Sequence, residues 1–299
     1  MRKLIMALTL TAAMLFASGC IITPSKTEET DESTVMTTEP QDVTENTTPV
    51  TEATDAPTEP TPAVTPDPNA PPPITANGIT VTYEYVERIY VNPDDVTLLT
   101  AHFIYATVTV EGNPAASSAI NSTLDAMRTA DDTTYVEYCS YAIDSYDPNF
   151  FNPYQMDFAS EAVCIHEDLL SILVTQDTYS GGAHGGRTYI AFTFDTMTGQ
   201  ELTFEDFSTN ATDFRTFLQN AIIAQIDAMP AEEQSAIENY ATTIGGNFSS
   251  TTWYTNGTSF VIIYPEYSIA SYAAGSPTFL IPISDCLPSM NSYGLGIFD

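Results

Sequence analysis

Asp177, Ser180 and His184 supply the side-chain types of a hydrolytic triad within one short stretch of the chain. A serine becomes a nucleophile when an imidazole takes its proton and a carboxylate orients that imidazole. Side chains so close in sequence rarely converge in that arrangement, and no Gly-x-Ser-x-Gly elbow surrounds Ser180. Their setting suggests another role. They lie in or beside Tyr179-Ser180-Gly181-Gly182-Ala183-His184-Gly185-Gly186, half of which is glycine. Strand-like runs flank it, Ser171 to Thr175 before and Thr188 to Phe194 after. A glycine cluster between strands marks a loop where the backbone takes positive φ or approaches other backbone closely. His184 is therefore expected to hydrogen-bond locally and hold the loop, and no residue is assigned as catalytic. A cell-wall-modifying hydrolase using the His184 loop is the alternative.

The other reactive side chains form no pattern. His102, His166 and His184 have no metal-ligand spacing and no Cys-x-x-Cys pair exists, so neither metal nor cofactor is expected. Cys139, Cys164 and Cys286 are an odd number. A Cys139–Cys164 bridge and buried free thiols both remain open.

These residues must be positioned by a mixed fold. Ile79 to Val91 alternates and is rich in β-formers, and His102 to Val110 reads likewise. Asn113-Pro114 opens a helix with Ile120, Leu124 and Met127 on one face. Asp157 to His166 and Leu169 to Thr178 read as paired strands turning near Glu167-Asp168, and Arg187 to Thr196 as a third. Phe214, Phe217, Leu218, Ala221, Ile222, Gln225, Ile226 and Met229 mark one helical face that ends at Pro230. A second helix is expected from Ala231 to Ile244, stopped by Gly245-Gly246. A hairpin across Asn256-Gly257 joins Thr251–Tyr254 to Ser259–Tyr264, and Thr278 to Ile283 is the last strand. Strands and helices without regular alternation predict an α+β fold, with antiparallel sheets, helices packed on one side, and subdomains at 78–175 and 176–299.

The chain's compartment is written upstream. Arg2 and Lys3, the apolar run from Leu4 to Phe16 and the box Ala17-Ser18-Gly19-Cys20 resemble a bacterial lipoprotein signal over residues 1–20. That resemblance implies a diacylglycerol on Cys20 and a lipid-anchored protein on the extracellular face of the cell membrane. Residues 21–77 are built from Thr, Pro, Glu, Asp and Ala with no aromatic residue. They cannot bury enough apolar surface to offset ordering, and are expected to form a disordered tether.

Of 299 residues, 39 are acidic and 7 basic, a formal charge of −32. Residues 78–299 hold 28 acids against four arginines, or −24, and no lysine follows Lys26. Such a surface repels nucleic acid and anionic lipid and attracts a cationic partner.

Two stretches carry a resemblance. Gln176-Asp177-Thr178-Tyr179-Ser180-Gly181-Gly182-Ala183-His184-Gly185, with Phe192-Thr193-Phe194-Asp195 and Thr198-Gly199, is one. Tyr264-Pro265-Glu266-Tyr267-Ser268-Ile269-Ala270-Ser271-Tyr272-Ala273-Ala274-Gly275 is the other. Both resemble the RsiV-like C-terminal domain family of bacterial surface proteins, across roughly Val81 to Ile283. Ser271 stands where that family often has proline. The family includes an extracellular lysozyme-binding domain and an accessory module of a peptidoglycan deacetylase. The resemblance implies a non-enzymatic binding module for lysozyme or another cationic protein, or for peptidoglycan. Its candidate binding residues are Tyr179, Ser180, Gly181, Gly182 and His184 in the first stretch, and Tyr267, Tyr272, Gly275 and Ser276 in and after the second. No second long apolar run exists, so an anti-sigma role is not expected. Tyrosine is abundant, with 17 residues, and those in the second stretch serve either core packing or an interface.

Overall fold

The computed structural model describes residues 67–166, 168–237 and 239–298. Cys20 and residues 21–66 of the expected tether lie outside the described residues, whereas its last part is ordered: Ile74–Ala76 is a strand paired with Ile79–Val81, because its backbone groups find partners on that strand's edge. Among the described residues no helix is long and apolar enough to cross a membrane.

The first sheet has six strands in chain order: β1 Ile74–Ala76, β2 Ile79–Val91, β3 Thr97–Val110, β4 Tyr154–His166, β5 Leu169–Tyr179 and β6 Gly186–Asp195. Neighbours pair antiparallel except β3 with β4, which are parallel. A parallel pair needs a crossover, and helix α1, Pro114–Asp144, supplies it. Asn113 caps α1 by accepting from the Ala116 backbone N–H, with Pro114 in the first turn where no N–H is needed. Ala116, Ile120, Leu124 and Met127 face the sheet and are buried there. The sheet answers with one side of each strand, Phe103 opposite Phe158 on the parallel pair, and Ile172 opposite Phe192 on β5 and β6.

After β6 the chain turns through Thr198-Gly199 into a 3-10 turn, Phe204–Phe207, and helix α2, Ala211–Asp227. Asn210 caps α2 through the N–H groups of Thr212 and Asp213. Phe214, Leu218, Ile222 and Ile226 are buried against a three-stranded antiparallel sheet. The expected helix from Ala231 to Ile244 is instead two pieces, α3 Ala231–Gln234 and α4 Tyr240–Asn247. Asn239 takes a left-handed φ of 50° between them, and its carbonyl accepts from Thr242 and Thr243 to start α4 afresh. Gly245 and Gly246 therefore lie within a helix and do not stop one.

The second sheet is β7 Thr252–Thr255, β8 Ser259–Ile263 and β9 Thr278–Pro282. Two short helices close the described chain, α5 Ile283–Cys286 and α6 Ser292–Phe298. Gln225, the polar residue on the apolar face of α2, donates to the Leu280 carbonyl of β9 at 2.8 Å. The architecture is α+β with two apolar cores, one under α1 and one under α2. Strand β5 runs through position 175, so the first sheet takes residues from both sides of it. The two cores adjoin through β5 and β6. Leu169 belongs to the second core, Leu170 to the first, and Thr252 of β7 donates to the Tyr189 carbonyl at 2.7 Å.

Candidate functional site

The glycine loop leaves β5 at Tyr179 and enters β6 at Gly186. Its shape is set locally. Gly181 has φ of 78°, where a side chain is strained. A Cβ on Gly185 would lie 2.7 Å from the Thr178 carbonyl oxygen, so only glycine fits. The Tyr179 hydroxyl donates to the Gly182 carbonyl at 3.0 Å, bracing the loop from inside. Ser180, Gly182 and His184 are exposed.

Asp177 does not serve His184. The Arg187 guanidinium holds both its oxygens at 2.5 Å across the β5–β6 rung. His184 instead has its Nδ1 3.1 Å from the Gly185 carbonyl oxygen, the local hold expected of it. Its ring stacks on Tyr272, with centroids 4.2 Å apart and planes 27° apart. Tyr272 stacks in turn on Tyr267 at 5.7 Å. The two stretches singled out in the sequence thus meet in one three-ring stack, although more than eighty positions separate their histidine and tyrosine.

Residues 265–277 are pinned into place. Tyr264 is fully buried and donates to the Ile244 carbonyl at 2.9 Å, a core role. The Asn247 amide donates to the Ser268 carbonyl at 2.9 Å, and the Ser268 hydroxyl to that of Pro265 at 2.5 Å. Tyr267 sits at φ of 62°, a conformation that a bulky side chain rarely adopts, and is 53% exposed. Partial burial first, and then the Glu266 carboxylate, raise the pKa of the Tyr272 phenol, which stays neutral and able to donate. Gly275, at φ of 67°, is buried at the end of the turn Tyr272–Ala274, so it shapes the loop. Ser276 is half-buried and its carbonyl accepts from the Thr278 hydroxyl.

Two clefts flank this segment, and the sequence pointed to neither. One, of about 440 Å³, runs between residues 267–271 on one side and Ser235, Ala236, Asn239 and Thr243 on the other. The other, of about 420 Å³, lies between the end of α2, α3 and residues 271–279, with Met229, Ile237 and Phe279 in its wall. Ala236 and Ser271 line both. The signal that could have found them is the Pro230 break, which turns the chain away from α2 and opens the space.

The remaining histidines stand apart. His102 lies between Asp157, 2.6 Å from Nδ1, and Glu87, 3.4 Å from Nε2, on adjacent strands. No group of three metal-ligating side chains gathers among the described residues. Cys139, Cys164 and Cys286 are all free thiols, and burial pushes Cys164 up to about 11.

Residues 205–284 match the DUF3298 family model. That family is described as a protein of unknown function, and the match takes in the stacked tyrosines and both clefts but not the glycine loop. No curated protein matches the chain. Among solved structures, a DUF3298 family member from Bacteroides fragilis NCTC 9343 is 16% identical with a TM-score of 0.56, over 74% of this chain and 97% of that one. A DUF3298 family protein from Pseudomonas aeruginosa PAO1 is 16% identical with a TM-score of 0.50, over 73% and 97%. At this identity the likeness to the two DUF3298 structures is one of fold.

Proposed function

We propose that the protein is a surface binding module for a strongly basic protein of lysozyme type, held at the extracellular face of a bacterial membrane by a lipid on Cys20. The observation that carries this reading is the His184–Tyr272–Tyr267 stack. It gathers aromatic rings from two distant loops, with His184 and Tyr267 exposed, Tyr272 half-buried between them, and Tyr267 on a strained backbone. Strain of this kind persists where the surroundings enforce it, and it concentrates at ligand clamps. Tyrosine presents large contact area at low entropic cost and is enriched at interface centres.

The charge of the body complements a basic partner. Arg88, Arg128, Arg187 and Arg215 are each paired with a carboxylate, so the excess acid is left uncompensated. The RsiV-like resemblance adds lysozyme as the specific candidate. A hydrolase working through the same loop would need a carboxylate for His184, and Asp177 is engaged by Arg187 instead.

Association kinetics on the full chain test the reading. Raising salt from 50 to 300 mM is expected to slow association with lysozyme several-fold, because exposed charges are screened. Tyr272→Ala and Tyr267→Ala are expected to speed dissociation about tenfold or more, as loss of an interface anchor does. Wild-type dissociation in both variants, with lysozyme bound no better than another basic protein of its size, overturns the proposal. Binding of purified peptidoglycan fragments with no binding of lysozyme would move the reading to the cell wall.

A further inference from the structure

The cleft between the end of α2 and residues 271–279 has the wrong composition for a purely apolar ligand. Met229, Ile237, Ala274 and Phe279 give it an apolar wall, and among the described residues Glu233 is the one charged side chain that lines it. Glu233 is exposed in the free protein. A ligand that covered it with hydrocarbon would strip water from a carboxylate and leave it unpaired, which is costly. An anionic ligand would meet the same carboxylate on a body whose described arginines all have acidic partners. What fits is an apolar stem ending in a positive charge. The volume, about 420 Å³, is at the small end for ligand sites and suits a side chain and its neighbour better than a helix or strand.

We infer that this cleft receives an arginine or lysine side chain of a basic protein, with the methylene stem against Met229 and Ile237 and the charged head at Glu233. The inference rests on the binding-module reading and gives that partner a second foothold. Ala236 and Ser271 line both this cleft and the one beside Tyr267, so a surface covering the tyrosines also covers the mouth of the cleft. The aromatic stack would then hold the partner's face while the cleft selects a long cationic residue beside it.

Two small probes on the full chain test the cleft apart from the partner. Butylguanidinium and its neutral isostere butylurea are titrated while the Met229 and Ile237 methyl signals are followed by NMR. Butylguanidinium is expected to give saturable shifts at both methyls, and butylurea to need at least about five times the concentration. Glu233→Gln lies on the surface and is expected to erase that difference. Equal response to the two probes in the wild type, or no saturable shift with either, overturns the inference. Butylammonium in a third titration distinguishes a lysine-type head from an arginine-type head. Lysozyme is titrated into the same samples. If lysozyme binds wild type, and Glu233→Gln and Ala273→Trp bind it equally well, the cleft has no part and this inference alone fails. If butylguanidinium binds as expected and lysozyme does not, the basic-protein reading fails and the cationic cleft stands.

Discussion

Alanine at three glycines of one loop should have three different costs, each set by what its Cβ meets. At Gly185 the added carbon would lie 2.7 Å from the Thr178 carbonyl oxygen and 3.7 Å from the Tyr179 Cβ. Thr178 pairs with Gly186 in the β5–β6 ladder, so it cannot retreat without loosening that rung. Overpacking against backbone of this kind costs about 1–3 kcal/mol. At Gly181 the cost is conformational, about 1 kcal/mol for φ of 78°, with the Asn152 carbonyl oxygen and the Tyr154 ring both 3.4 Å from the new carbon. At Gly182 no other atom lies within 4 Å and φ is outside the left-handed range, so alanine should change stability by less than about 0.5 kcal/mol. Thermal unfolding followed by circular dichroism reads these directly. For a folded part of this size each kcal/mol moves Tm by roughly 2–4 °C. The order expected is Gly185→Ala lowest, then Gly181→Ala, with Gly182→Ala at wild type. A Gly182→Ala loss as large as that of Gly185→Ala would refute a loop built on these particular contacts.

Two further outcomes test other parts of the molecule. Asp131 on α1 is 2% exposed, accepts from the Gln176 amide at 2.8 Å, and is pushed up to about 7 by burial and then by Asp132, against the opposing Gln176 bond and Arg88. Its folded pKa lies above its unfolded one, so the native state binds the extra proton. Its destabilising effect is absent below about pH 4, grows as pH rises from there to about 7, and is constant above. Asp131→Asn should therefore be more stable than wild type by about 1–3 kcal/mol at pH 8, with the gap closing by pH 4, in chemical denaturation at each pH; a variant less stable at pH 8 sinks the assignment. Cys20→Ala should abolish labelling by a radioactive fatty acid and move the protein out of the membrane fraction or leave it unprocessed, and unchanged labelling would exclude the anchor.

The parts of the fold visible in the sequence are those whose pattern is set by one dominant neighbour. Strand β2 was expected from Ile79 to Val91 and runs over those residues, bounded by Asn77-Gly78 and Asn92-Pro93 turns. The start of α1 was legible from Asn113-Pro114, but its extent to Asp144 was not. Its later turns pack through Tyr135, Tyr138, Cys139 and Ala142, but the exposed Val136, Tyr141 and Ile143 interleave with that stripe and blur its period. The break at Asn239 leaves only a faint trace in the sequence, an asparagine, one of the few residues that enters the left-handed region, whereas Gly245-Gly246 gives a stop signal that the helix runs past before ending at Asn247. The residue types of the site were readable as well, because glycine and tyrosine are unusual in such density. Their convergence was not. It depends on Tyr267 taking φ of 62° and on Asn247 holding the Ser268 carbonyl, and both are properties of a folded loop rather than of a spacing.

That convergence has a mechanical consequence. His184 hangs from the sheet of the first core, whereas Tyr272 and Tyr267 belong to a loop fixed to the second. The ring stack therefore bridges the two halves at the surface, outside the half-buried seam where Thr252 meets Tyr189. A partly exposed stack of this kind contributes about 0.5–1.5 kcal/mol, too little to hold the halves together by itself. Its geometry instead depends on the seam beneath being intact. A partner that covers all three rings binds only the arrangement in which the halves are docked. Such a partner at a hundredfold excess over its Kd adds about 2.7 kcal/mol to the docked state. The same coupling runs backwards: Thr252→Val, which removes the hydroxyl that donates to the Tyr189 carbonyl, is expected to speed dissociation of such a partner without touching the ring stack, and dissociation at the wild-type rate would refute the coupling.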